Sequence, residues 1–172
     1  MEELEELKNR LEQQRPAPWE ALPDLNLYMD QVIGYMPRQL IRYGEEEWLT
    51  SAMVNNYIKD GLLPRAEGKR YSRTHLAYLT AICALKQVLP VKDAGMLVGE
   101  HTGEGAQTMY ARLREELDKA LAATAGRLDP ALGEEELPAL ALELALRSYA
   151  DKLACQRVLD LIRRRQPEPT KK

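Results

Sequence analysis

Residues 49–98 read LTSAMVNNYIKDGLLPRAEGKRYSRTHLAYLTAICALKQVLPVKDAGMLV, and their punctuation decides the fold. Thr50 offers a side-chain acceptor just before an apolar-periodic run, and Gly61 stands just past its end. These are the chemistries of a helix N-cap and a C′ stop, so a helix is predicted from Thr50 to about Asp60. Pro64 to Tyr71 holds a proline, a glycine and four charges, with no room for a helix, and predicts a tight basic hairpin. Ser72 caps a second helix whose Leu76, Leu79, Ile82 and Cys83 share one face, ending near Leu89. Pro90 opens a short third helix at its first turn, where a missing N–H does no harm, and that helix stops near Val98.

Upstream, residues 2–15 are charged with Leu4, Leu7 and Leu11 at helical spacing, until Pro16, Pro18 and Pro23 break the pattern. So short an isolated helix is marginal in water, which predicts a partner-dependent helix and a linker. Asp24 is placed to cap a helix with Leu27, Val32, Ile33 and Met36 inward, kinked or ended by Pro37 and continuing weakly to about Tyr43. Gly44 to Glu47 reads as an acidic loop. Downstream, Gly99, Gly103 and Gly105 make a break, after which helices are predicted over about Ala106–Ala125 and Glu134–Arg165. The second carries Leu137, Leu140, Leu144, Tyr149, Leu153, Val158 and Ile162 on an expected inward stripe, widened by Leu142 and Leu146. Residues 166–172 are charged and contain two prolines, which predicts a disordered tail.

The composition agrees. Long stretches consist of Ala, Leu, Glu, Arg and Lys, the strong helix formers, and no stretch alternates Val, Ile and Thr as strands require. The fold class is therefore all-α. The predicted organisation is an N-terminal segment and linker (1–21), a head (22–100), a C-terminal helical unit (101–165) and the tail. With 172 residues the chain can bury enough surface to fold without a metal or disulfide. Cys83 and Cys155 sit in apolar-periodic stretches and read as small hydrophobes. No apolar leader and no run of about 18 apolar residues is present, so a cytoplasmic protein with no membrane contact is expected.

Net charge is −3, yet it is unevenly spread. Between Thr50 and Lys92 seven bases face two acids, a net +5, which leaves −8 for the rest of the chain. A basic patch on an acidic protein is the electrostatic footprint of a nucleic-acid-binding module. On the helix after Thr50, Ser51, Asn55, Asn56 and Lys59 share a polar side, while Met53, Val54, Tyr57 and Ile58 are available for packing. Asparagine can bridge N6 and N7 of adenine, and Lys and Ser suit phosphate or guanine. Lys69, Arg70 and Tyr71 lie on a hairpin with nothing to bury.

These residues carry a resemblance. Tyr57, Gly61-Leu62-Leu63-Pro64, Arg70-Tyr71-Ser72 and Leu76 follow in order, and nearly in spacing, the DNA-binding head of MerR-type regulators. That resemblance implies a winged helix-turn-helix with Ser51, Asn55, Asn56, Tyr57, Lys59, Lys69, Arg70, Tyr71 and Arg73 at double-stranded DNA, in a transcriptional regulator. The match spans about fifty residues. A wider resemblance, through LPDLNLYMDQVI (22–33) and LTSAMVNNYIKDGLL (49–63), is to an uncharacterised bacterial family catalogued as a domain of unknown function, DUF1836-like, which implies no ligand or target.

The departures matter. MerR-type recognition helices usually carry Arg-Tyr-Tyr where this chain has Asn55-Asn56-Tyr57, so an expected cationic contact is neutral here. The first helix of the pair must come from between Asp24 and Tyr43. A protein-interaction adaptor without DNA binding is the alternative reading. Catalysis has little to stand on: His75 and His101 have no nearby Cys or paired carboxylate in sequence, and no metal or cofactor pattern occurs. The glycines at 99, 103 and 105 fit no phosphate-loop spacing. Because one head of modest charge binds weakly, a homodimer through the C-terminal helices is expected, with Leu142 and Leu146 at the interface and any effector unknown.

Overall fold

The computed structural model describes residues 1–42, 48–98 and 105–165. Within them the chain is all-helical, with seven α-helices and no strand. Helix α1 (Glu2–Gln13) is followed by a 3-10 turn at Trp19–Ala21, α2 (Met29–Tyr35) and a second 3-10 turn at Met36–Arg38. Then come α3 (Ser51–Lys59), α4 (Arg73–Leu85), α5 (Val91–Val98), α6 (Ala106–Ala125), a 3-10 turn at Glu134–Glu136 and α7 (Leu137–Arg165). The expected acidic loop at Gly44–Glu47, the break at Gly99 and Gly103, His101 and the tail from Gln166 lie outside the described residues.

Local chemistry sets most of these boundaries. Thr50 Oγ1 accepts the Met53 N–H at 3.2 Å and starts α3. Gly61 ends it at φ 73°, letting the Leu62 N–H return to the Tyr57 carbonyl at 2.8 Å. Helix α2 departs from expectation: it starts at Met29, and Asp24 caps nothing in it. The reason is long-range. Leu27 exchanges both backbone hydrogen bonds with Tyr71, at 2.9 and 2.8 Å, and is held extended. The helix can begin only beyond it, where Gln31 Oε1 accepts the Tyr28 N–H. Gln39 closes the 3-10 turn as its C-cap, and the expected weak helix to Tyr43 does not form over the described residues 40–42.

Helix α4 is the axis of the core. Its residues from His75 through Cys83 are all buried, so it is covered on every side. It packs against α5, α6 and the 3-10 turn at Met36–Arg38, while α6 packs in turn on α1. The core gathers Val32, Met36, Val54, Tyr57, Leu63 and Tyr71 around that axis. One compact unit spans Glu2–Pro130. Met1 and Ala131–Lys172 form a second unit. Within it, α7 leaves Tyr149, Leu153, Val158 and Ile162 exposed, contrary to the expected inward stripe, and Leu142 and Leu146 are exposed as well. No described helix is long and apolar enough to cross a membrane.

The polar link between these elements is one buried amide. Gln39 Nε2 donates to Thr80 Oγ1 on α4 (3.0 Å) and to the Tyr110 hydroxyl on α6 (2.9 Å). Its Oε1 accepts the Ala17 N–H at 3.1 Å, and the Tyr110 hydroxyl donates to the Ala17 carbonyl at 2.7 Å. Tyr110→Phe leaves the Ala17 carbonyl and one Gln39 donor without a partner, and should cost about 1–3 kcal/mol. Urea unfolding checks this: an unchanged midpoint would show that the link contributes no stability.

Candidate nucleic-acid interface

Helix α3 has one buried side and one exposed side, as its pattern predicts. Val54 and Tyr57 are buried, whereas Ser51, Asn55, Asn56 and Lys59 are exposed. Four polar groups thus stand on one short helix with no packing duty. Tyr57, which the resemblance places at the interface, has its ring in the core, and burial pushes the pKa of its hydroxyl up to about 12.

The basic hairpin is a two-residue turn. Glu67 and Arg70 exchange backbone hydrogen bonds at 3.1 and 3.0 Å, with Gly68 at φ 57° and Lys69 at φ 62° between them. Two left-handed residues in succession make a type I′ turn, whose twist suits a hairpin. No strand ladder extends from it among the described residues, and the second arm ends at the Leu27–Tyr71 bridge. Lys69 is the only non-glycine residue at positive φ among the described residues. Lysine there costs roughly 1 kcal/mol by Cβ crowding, which glycine or asparagine would avoid or reduce. The tip thus holds an exposed cation in a conformation its side chain disfavours.

Arg70 is also exposed, and it has a partner that the sequence pattern does not reveal. Its guanidinium donates to the Tyr28 hydroxyl at 2.8 Å and lies 4.9 Å from the Tyr28 ring centroid. Tyr28 itself is half exposed, at 49 %. Nothing local signals this pair, because 42 residues separate its members. The arginine is held against an aromatic face with its charge open to solvent. Tyr71 and Arg73 have partners within the fold. The Tyr71 ring is buried, edge-on to His75 at 5.3 Å. The Arg73 guanidinium lies over Trp19 and donates to the Leu22 carbonyl at 3.1 Å, so it fastens the N-terminal segment to α4. Its Nε is buried without a hydrogen-bond partner.

His75, for which the sequence offers no catalytic role, is the fastener of the hairpin. Its Nδ1 accepts the Ser72 N–H at 2.9 Å, so that nitrogen carries no proton. The other nitrogen, Nε2, is therefore the protonated one and donates to the Pro64 carbonyl at 3.2 Å. One neutral imidazole spans both ends of the hairpin. Burial pushes its pKa below the ordinary value, against the weaker upward pull of the Pro64 and Arg65 carbonyls and Glu67. Cys83 is a buried thiol pushed up to about 11 by burial and stays protonated. No group of His, Cys, Asp and Glu among the described residues is arranged to hold a metal ion.

With its folded pKa depressed, His75 contributes stability that is fully present above its unfolded pKa of about 6.5 and is lost as pH falls below it. The urea midpoint should drop between about pH 7 and pH 5.5. His75→Gln should reduce that pH dependence, and an equal drop in the variant would rule out His75 as its origin.

Residues 17–112 match a family described as a domain of unknown function (DUF1836). No curated protein and no solved structure matches the chain.

Proposed function

The chain belongs to the DUF1836 family, and from that premise we propose that it is a sequence-specific DNA-binding regulator, not an enzyme. In this reading α2 and α3 are a helix-turn-helix of MerR type, and the turn at Glu67–Arg70 is a minimal wing. Ser51, Asn55, Asn56 and Lys59 face the bases and phosphates of the major groove, while Lys69 and Arg70 neutralise flanking phosphates. The observation that carries the reading is Lys69. A glycine or asparagine would relieve the backbone at φ 62°, yet the position presents a cation at the exposed tip of the turn, next to a second cation steadied by Tyr28. Strain retained at an exposed charged tip is expected where the side chain has a task. Tyr57, Tyr71 and Arg73 support this surface from behind and do not touch DNA.

Lys69→Gly separates the task from the fold. It removes the charge and the strain together, so the folded state should be at least as stable. The slope of log affinity against log salt should flatten by about 0.9 for each phosphate that the variant no longer neutralises, on all sequences alike. A variant with an unchanged slope would take the turn off the DNA. The neutral Asn55-Asn56 pair favours the other reading, a protein-binding adaptor; in that case full-length protein shows no salt-dependent affinity for duplex DNA at all.

Specific binding by so small a surface calls for two heads, and α7 supplies the means. Leu142, Leu146, Tyr149 and Leu153 follow a 4-3-4 spacing that places them on one helix face, and each is exposed by 48 % or more. A second copy running antiparallel covers this face and sets Glu134–Glu136 against Arg163–Arg165 of its partner. Light scattering at micromolar concentration should give twice the 19.6 kDa chain mass, and Leu146→Glu with Tyr149→Ser should return it to one. A single-chain mass for the unaltered protein would exclude the dimer.

A further inference from the structure

A cavity of about 1000 Å³ opens in the unit Glu2–Pro130, between α1, residues 37–42, Trp48, the end of α4 and α6. Five cations line it: Arg10, Arg15, Arg38, Arg42 and Lys86, with no carboxylate among the described lining residues. Among the described residues, Arg10, Arg38 and Lys86 meet no carboxylate. Arg10 donates to the Gln14 side-chain oxygen and the Arg42 carbonyl, and Lys86 Nζ to the Trp48 carbonyl, all neutral acceptors. Arg38 is exposed and has neither hydrogen bond nor ion pair among the described residues. Arg15 alone of these is paired with a described carboxylate, that of Asp118. Trp48, Leu40, Ile41, Leu117 and Leu121 supply the apolar part of the wall, and the glutamines Gln13, Gln14, Gln39 and Gln87 line it as well. The volume lies at the upper end of the range of small-molecule sites.

We propose that this cavity binds an organic anion, a carboxylate or phosphate carried on an aromatic or aliphatic body. Arg10, Arg38 and Lys86 hold the charged group, while Trp48 and the α6 leucines cover the body. Cations that line one cavity repel each other, and an entering anion relieves that repulsion; the leucines give an inorganic ion nothing to hold. The site is independent of the DNA reading, since it uses none of the α3 or hairpin side chains.

The chain has two tryptophans, and only Trp48 lines the cavity, which gives a located signal. Full-length, nitrogen-15-labelled protein is titrated with 1-naphthoate, and the two indole N–H resonances are followed by NMR. The Trp48 resonance should move saturably and that of Trp19 should not. The neutral analogue 1-naphthylmethanol should bind at least tenfold more weakly. Arg38→Ala and Lys86→Met, each checked for an unchanged thermal midpoint, should weaken naphthoate at least tenfold, and Lys92→Ala on α5 should not. If Lys86→Met is destabilised, Arg38→Ala alone decides, because that side chain is exposed. No Trp48 shift at millimolar naphthoate, equal binding of the alcohol, or unchanged affinity in Arg38→Ala would overturn the proposal.

Discussion

The buried amide of Gln39 is the constraint on which the described fold depends. Its donors and acceptor are met by Thr80 on α4, Tyr110 on α6 and Ala17 in the N-terminal segment, and Tyr110 closes the ring back onto Ala17. The bonds to Thr80 and Tyr110 are buried and those to Ala17 partly so, and an unmet buried polar atom costs more than a met one returns. None of the three segments can leave without stranding the others. The 3-10 turn at Met36–Arg38 therefore delivers Gln39 to one place, and the hydrophobic faces of α4 and α6 pack around it. The family match begins at Ala17 and ends at residue 112, just past Tyr110, so it encloses the whole ring.

This explains which parts of the fold are legible in the sequence. Thr50, Gly61, Ser72 and Pro90 act on backbone groups within four residues of themselves, so the pattern around them locates α3, α5 and the start of α4 closely, whereas α4 ends at Leu85, short of the expected Leu89. Long-range hydrogen bonds leave no such trace. Nothing near Asp24 announces that Leu27 will pair with Tyr71, and so the local pattern starts α2 too early. Nothing in the charged residues 2–15 announces that α1 lies on α6, so a helix that would be marginal alone is packed. A division near residue 100 looks natural from composition, yet Tyr110 and Thr80 share one amide across it.

The candidate surface is half legible for a related reason. Exposed polar residues on α3 follow from helical periodicity, which is local. The tyrosines do not: Tyr57 and Tyr71 look amphipathic in sequence, but their rings fill the core beside Val54 and Leu63. Tyr28 is the converse, an aromatic at a helix start whose ring meets Arg70 only after Leu27 and Tyr71 pair their backbones. His75 has no catalytic neighbour in sequence, but its position three residues after Ser72 is that of a capping-box partner, and this signal could have found it.

The positive charge on an acidic chain has a structural origin as well. Carbonyls in the irregular segments have no helical partners, and cationic side chains repeatedly supply the missing donors. Arg73 bonds Leu22, Arg114 bonds Pro16, Arg10 bonds Arg42 and Lys86 bonds Trp48, all at backbone oxygens. A charged donor on a neutral acceptor makes a stronger hydrogen bond than a neutral one, yet leaves its charge unneutralised. The exposed ion pairs at Lys119 and Arg163 contribute little in comparison, being open to water and salt. The same bonds that fix the long irregular connections thus accumulate positive potential around them, most of all at the cavity that Arg10, Arg38 and Lys86 line. The fold needs donors at these carbonyls, and arginine and lysine, unlike asparagine, satisfy them while leaving an attraction for anions.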